Sequence, residues 1–169
     1  MNNKPDNSYF KQVQAFLYRV ENGILVVLLL SMLAMAISQI LMRNLFEAGI
    51  IWGDILVRIL VLWVGLAGAM VASRRGNHIN IDILSRYLPE RAGNTVKSAV
   101  EFFTAAVCSV AAVYTLRFVK MEFDDGGMAF AQVPTWICEA IIPIAFIVIA
   151  LRYFLLSLTT FLKITKSSS

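Results

Sequence analysis

Histidine occurs once, at His78, and cysteine twice, at Cys108 and Cys138. One histidine rules out a histidine-rich metal centre, and two cysteines inside apolar stretches read as small buried hydrophobes rather than a disulfide framework. Neither C-x-x-C, H-E-x-x-H, G-x-S-x-G nor a phosphate-loop pattern occurs, so the sequence offers no nucleophile, base or metal constellation for an enzyme and calls for no cofactor. Charge is also scarce. Asp, Glu, Lys and Arg form only 15% of the 169 residues and apolar residues form 59%, against about 25% and 45–50% in an ordinary soluble domain. The balance excludes a water-soluble class and predicts an integral membrane protein. There is no repeat, and no linker or low-complexity segment beyond Ser167–Ser169, so residues 1–169 are expected to form a single membrane domain. The net charge of +4 comes from basic residues scattered at helix ends, without the aromatic-rich basic groove of a nucleic-acid binder; membrane lipids are the simpler partner.

What is present is four long apolar stretches. They predict an all-α membrane protein with transmembrane helices over approximately 23–42, 50–73, 98–119 and 134–158. Ahead of the first, Phe10, Val13, Leu17 and Val20 recur at helical spacing beside Lys11 and Arg19, an amphipathic interfacial segment or the solvated start of the first span. Ala34-Met35-Ala36 mimics a signal-peptide cleavage site, but the apolar run continues past it and cleavage is not expected. Gln39, the strongest polar side chain of that run, either contacts a neighbouring helix or sits near the interface, and the interface is the reading preferred here. Pro89 stands where a long third helix would start, and Glu101 on that helix is read as an interfacial carboxylate. Residues 117–132 read as an acidic, glycine-punctuated loop. Pro134 opens the fourth helix, with Pro143 as an internal kink.

The stretch from Trp52 to Asp82 organises the rest. Asp54 and Arg58 stand four apart, on one helix face, where they could pair. Ile59 to Ser73 is uncharged and spans only about 22 Å as helix, less than a hydrocarbon core of about 30 Å, which places the two charges at the membrane edge. Gly65 with Ala69, and Gly68 with Ala72, are small residues at four-residue spacing that permit close approach of a neighbouring helix. Arg74, Arg75, Gly76, Asn77 and His78 then mark a return to water.

Trp52, Asp54, Arg58, Trp63, Gly68 and the run Arg74, Gly76, His78, Ile79 and Asp82, with Pro134, Trp136 and Pro143 later, resemble the small permease subunit (DctQ-like) family of tripartite ATP-independent periplasmic (TRAP) transporters. Ile55 and Ala145 depart from the family pattern, at a second acid and at a glycine. The resemblance implies a four-helix subunit of the bacterial inner membrane, without catalytic, substrate or metal residues of its own. Its partners would be a large permease subunit, which it scaffolds, and a periplasmic substrate-binding protein, in sodium-coupled import of organic acids of the sialic acid or C4-dicarboxylate type. Subunit-interface candidates are then Trp52, Asp54, Arg58, Trp63, Gly65, Gly68, Ala69 and Ala72. Arg74, Gly76, His78 and Asp82 form a cytoplasmic motif, and Glu47, Glu122, Asp124 and Asp125 are candidates for docking the binding protein. The alternative is a small homodimeric proton-coupled multidrug exporter, whose first helix would need an acid where this one has only Gln39.

Orientation follows from charge. Lys4, Lys11, Arg19, Arg74, Arg75, Arg86, Arg91, Lys97, Lys163 and Lys166 lie on one side of the four spans, and Arg43, Arg117 and Lys120 on the other. The basic side is cytoplasmic, with both termini. Alkaline phosphatase fused after Ser169 should therefore be inactive and the same enzyme inserted between Gly126 and Gly127 active; the opposite pattern would invert the topology.

Overall fold

The computed structural model describes residues 7–47, 49–75, 90–130 and 132–166. Helix α1 runs from Asn7 to Phe46 and α2 from Gly53 to Ala72, followed by a 3-10 turn at Ser73–Arg75. Helix α3 covers Glu90–Asp125, a two-stranded antiparallel hairpin pairs β1 (Met128–Phe130) with β2 (Val133–Pro134), and α4 (Thr135–Glu139) leads into α5 (Ile141–Lys166). Among the described residues four stretches are long and apolar enough to cross a membrane: Ala15–Phe46, Gly53–Ala72, Thr95–Asp125 and Thr135–Leu162. The chain divides into two compact units, residues 1–67 and 68–169, with the division inside α2.

In the first unit, α1 is a single helix of 40 residues, about 60 Å at 1.5 Å per residue. The amphipathic residues at its start are continuous in one helix with the first span, which begins at Ala15. Leu17 and Val20 on that stretch are 51% and 41% exposed. The helix ends at Glu47, whose φ of 49° reverses the chain in the left-handed region.

The second unit is built on α3 against α5. Their contact is made of small residues, Ala105 and Ala112 on α3 and Ala145, Ala150 and Ser157 on α5, all buried. In lipid there is no hydrophobic gain from pressing one apolar helix on another, so close approach of backbones over alanine and serine supplies the packing. Cys138 is also buried and Cys108 half-buried, neither of them in a disulfide.

Four sequence expectations change. Glu101 is not at an interface: it is 4% exposed, its Oε2 accepts a hydrogen bond from Thr160 Oγ1 at 2.9 Å, and Lys97 Nζ lies 3.9 Å from its Oε1. It belongs to the same small-residue stripe as Ala105 and Ala112, four and eleven residues on, which is what turns it toward α5. Residues 117–125 are helix rather than loop, and α3 stops only where Gly126 takes φ 66°, a conformation glycine enters without steric cost. The fourth span is interrupted at Ala140, three residues before Pro143. Proline has no N–H to give the carbonyl four residues back, at Glu139, and its ring crowds that carbonyl. The helix therefore breaks upstream, with Ala140 N bonding Trp136 O at 3.0 Å and Ile144 N only distantly bonding Ala140 O at 3.5 Å. Pro134, extended at the N-cap, opens that helix as expected. Fourth, Gln39 is inside the protein, as described below. Pro89 lies outside the described residues, and α3 starts at the next residue.

Thr160→Val should leave Glu101 Oε2 without its donor, at a cost of about 1–3 kcal/mol for an unsatisfied buried group. The expected result is a lower unfolding midpoint in detergent, largely restored when Glu101→Gln removes the charge as well; an unchanged midpoint in the single variant would show that the bond carries nothing.

Candidate functional site

Asp54 is in the first turn of α2, where a carboxylate is favoured by the unsatisfied N–H groups and the positive end of the helix dipole. Its hydrogen-bond partner is Gln39 rather than Arg58. Gln39 Nε2 donates to Asp54 Oδ1 at 3.1 Å and to the carbonyl of Ile50 at 3.0 Å. The amide is only 7% exposed, so the α1 side chain staples the 47–52 connection and the start of α2 together. No ion pair links Arg58 to Asp54; Arg58, like Arg43 in the last turn of α1, is exposed and makes no ion pair with a described residue. The i, i+4 spacing allowed a pair, but Gln39 holds one carboxylate oxygen and leaves the other open, and an arginine at a membrane edge keeps its hydration or finds an anion outside the chain.

Gly53 makes this arrangement possible. It is buried, and a Cβ there would lie 2.6 Å from Gln39 Oε1 and 2.9 Å from its Cδ and Nε2, so any side chain would push the amide out. Its own N–H bonds Ile50 O at 2.9 Å. Neither Gly53 nor Gln39 was singled out as a site residue from the sequence. The signal was there: Gln39 is a strong hydrogen-bonding side chain in an otherwise apolar run, four residues before the charge that ends it.

Further along α2, Trp63 is half-buried, Gly65 is exposed, and a Cβ on Gly65 would meet nothing within 4 Å. Trp52 is 41% exposed. In the second unit, a Cβ on Gly68 also meets nothing within 4 Å, and Ala69 and Ala72 are exposed. The small-residue positions are therefore open. The end of α2 is held by Arg152 of α5, whose Nη1 donates to Met70 O and, at 3.1 Å, to Ser73 Oγ, while Ser73 Oγ donates to Met70 O at 2.7 Å. A cation on orphan carbonyls at a helix C-terminus satisfies them and opposes the dipole. Arg152 is thus the cap that precedes the Arg74 motif. Arg74 is half-buried, whereas Gly76, His78 and Asp82 lie outside the described residues.

Of the acidic candidates, Glu47 is exposed at the end of α1. Glu122, Asp124 and Asp125 stand in the last turns of α3, Glu122 half-buried and the two aspartates exposed. No basic residue occupies that last turn, so the acids face the negative end of the dipole, which disfavours them. Phe123 packs edge-on against Trp136, ring centroids 5.5 Å apart, and Thr135 N bonds Gly127 O at 3.0 Å, which ties the hairpin to the end of α3. Among the described residues no group of three or more His, Cys, Asp or Glu is placed to hold a metal ion.

With the geometry in view, residues 32–162 match the family described as tripartite ATP-independent periplasmic transporters, DctQ component. The chain belongs to that family. It is a multi-pass membrane component of a transport system, the small permease class, and the exporter alternative gives way to it. This DctQ chain is 30% identical over 108 residues to the sialic acid TRAP transporter small permease protein SiaQ of Vibrio cholerae serotype O1 (strain ATCC 39315 / El Tor Inaba N16961), covering 64% of this chain and 61% of that protein. It is 28% identical over 100 residues to the sialic acid TRAP transporter permease protein SiaT of Haemophilus influenzae (strain 86-028NP), covering 59% of this chain but 16% of that protein. The match thus covers less than two thirds of either relative's length.

Gly53→Ala and Gln39→Ala should each lower stability by about 1–3 kcal/mol, through loss of the same two hydrogen bonds. Because both act on one interaction, the double variant should cost little more than either single one; additive losses in a double-mutant cycle would separate Gly53 from the staple.

Proposed function

We propose that the chain is the small membrane subunit of a TRAP transporter for organic acids of the sialic acid type, and that it scaffolds a large permease subunit which itself carries the substrate. The observation that carries this reading is the pair of matches: one to a small permease protein, the other to about a sixth of a much longer permease protein. A segment that is part of a long permease in one relative and the greater part of a small one in another is suited to work against the remainder of such a permease. Here that remainder would be a separate chain.

The character of the helices supports the proposal. Ile24, Val26, Val27, Leu30, Ile37 and Ile40 on α1 are all more than half exposed, and the small residues of α2 leave room for another helix's backbone. Trp52, Trp63, Gly65, Gly68, Ala69 and Ala72 are the proposed contact face. The charged groups of the described spans are engaged in caps and helix pairs or stand at span ends, which suits a brace better than a carrier with ionisable groups around a central cavity. In this reading the protein resides in the bacterial inner membrane with both termini cytoplasmic, transport is driven by sodium, and the Arg74, Gly76, His78 and Asp82 motif is cytoplasmic. Glu47, Glu122, Asp124 and Asp125 face the periplasm and steer the binding protein. Acids kept at a helix C-terminus against the dipole are reasonable there if a basic partner offsets their cost.

Reconstitution of purified components in liposomes tests the proposal. Sodium-driven uptake of a sialic acid should require the chain, the large permease and the binding protein together, and uptake by this chain alone would overturn it. With Glu122→Gln, Asp124→Asn and Asp125→Asn combined, half-maximal uptake should need about three- to tenfold more binding protein and become less sensitive to salt. An unchanged requirement in an assembled complex would remove these acids from docking.

A further inference from the structure

Ala36, Gln39, Ile40 and Arg43 of α1 and Asp54, Val57 and Arg58 of α2 line one groove of about 340 Å3. Its chemistry is of both signs. Arg43 and Arg58 present exposed guanidinium groups without an ion pair among the described residues, while Asp54, also exposed, has one oxygen engaged by Gln39 and the other available. The floor lacks a donor: Gln39 spends its Nε2 on two acceptors, and its buried Oε1 receives no hydrogen bond. The amide cannot be turned over to mend this, because Oε1 would then face the Ile50 carbonyl and the Asp54 carboxylate.

The depth of the groove is set by the helices themselves. Arg43 is the first charge after the uncharged run 22–42, and Arg58 the last before the uncharged run 59–73. Trp52, the residue type enriched at headgroup level, stands between them in the chain. The groove therefore lies where hydrocarbon gives way to headgroups, with Ala36, Ile40 and Val57 offering apolar wall. A groove of this volume is of small-molecule size.

The geometry points to a bound phospholipid in this groove, a phosphatidylethanolamine, with its phosphate on Arg43 and Arg58 and its primary ammonium on Asp54 and the Gln39 amide oxygen. Guanidinium is well suited to a phosphodiester because its donors are forked and it stays charged. The ammonium supplies the donor the floor lacks. Phosphatidylcholine carries the same phosphate but no N–H, and phosphatidylglycerol carries no cation, so the groove should rank the three headgroups.

The test uses the full chain, purified and delipidated in detergent, then titrated separately with the three lipids bearing identical acyl chains, and read by native mass spectrometry. One phosphatidylethanolamine should be retained about tenfold more strongly than phosphatidylcholine. Arg43→Gln with Arg58→Gln should reduce retention of both about tenfold, while Asp54→Asn should narrow the preference for phosphatidylethanolamine to less than about threefold and leave phosphatidylcholine unaffected. These side chains are exposed, and an unchanged unfolding midpoint confirms that the variants fold. Equal retention of the three lipids, or wild-type retention by the double arginine variant, overturns the assignment. So does an outcome in which the arginine variants keep their lipid but lose a co-expressed large permease, since the groove would then be a protein interface. The lipid measurement needs no transporter partner, so its result is separate from that of the subunit proposal.

Discussion

A polar group inside a bilayer has no water to return to, so it must be satisfied within the protein or at its edge. That constraint explains most of what is particular about this chain. Gln39 donates to Ile50 and Asp54, Arg152 donates to Met70 and Ser73, and Glu101 accepts from Thr160. Each is a strong donor or acceptor set among apolar residues, and each spends its capacity where the fold would otherwise leave backbone or side-chain atoms unsatisfied: a turn, a helix end, a helix pair. Removing one leaves its partners exposed to hydrocarbon, which is why few polar residues carry so much of the architecture.

The same constraint shapes the relation to a transporter assembly. Apolar helices that are largely exposed within the chain are stable beside lipid, so exposure alone does not demand a partner. Open space over Gly65 and Gly68 is more telling, because glycine weakens a helix unless something uses the room it leaves. In the proposed assembly that room would admit a helix of the larger permease, while the chain's own ionisable groups hold the subunit together.

Part of the candidate site was legible in the residues and part was not. The Trp52–Asp82 stretch announced itself through its motif, and Asp54, Arg58 and the small residues lie on α2 in the order the sequence requires. Asp54 and Arg58 do not pair within the chain, because helical spacing states which side chains can meet but not which competitor arrives first. Gln39 comes from the preceding helix and takes the carboxylate. Glu101 was misplaced for a related reason: its spacing from Ala105 and Ala112 was visible, but the polar partner that makes its burial tolerable, Thr160, is 59 residues away.

By itself the sequence determined the membrane class and the number of spans, because those depend on uninterrupted lengths of uncharged residues, a property summed along the chain. It also placed the start of the third helix near Pro89 and the interruption of the fourth near Pro143. Only the tertiary structure decided that Arg152 caps a helix end 82 residues earlier, that Gly53 is kept bare by Gln39, and that the acids near residue 124 stand on helix rather than loop. Hydropathy assigns a polar side chain a cost wherever it occurs. Whether that cost is met depends on a partner brought close by folding, and the distance along the chain contains no trace of it.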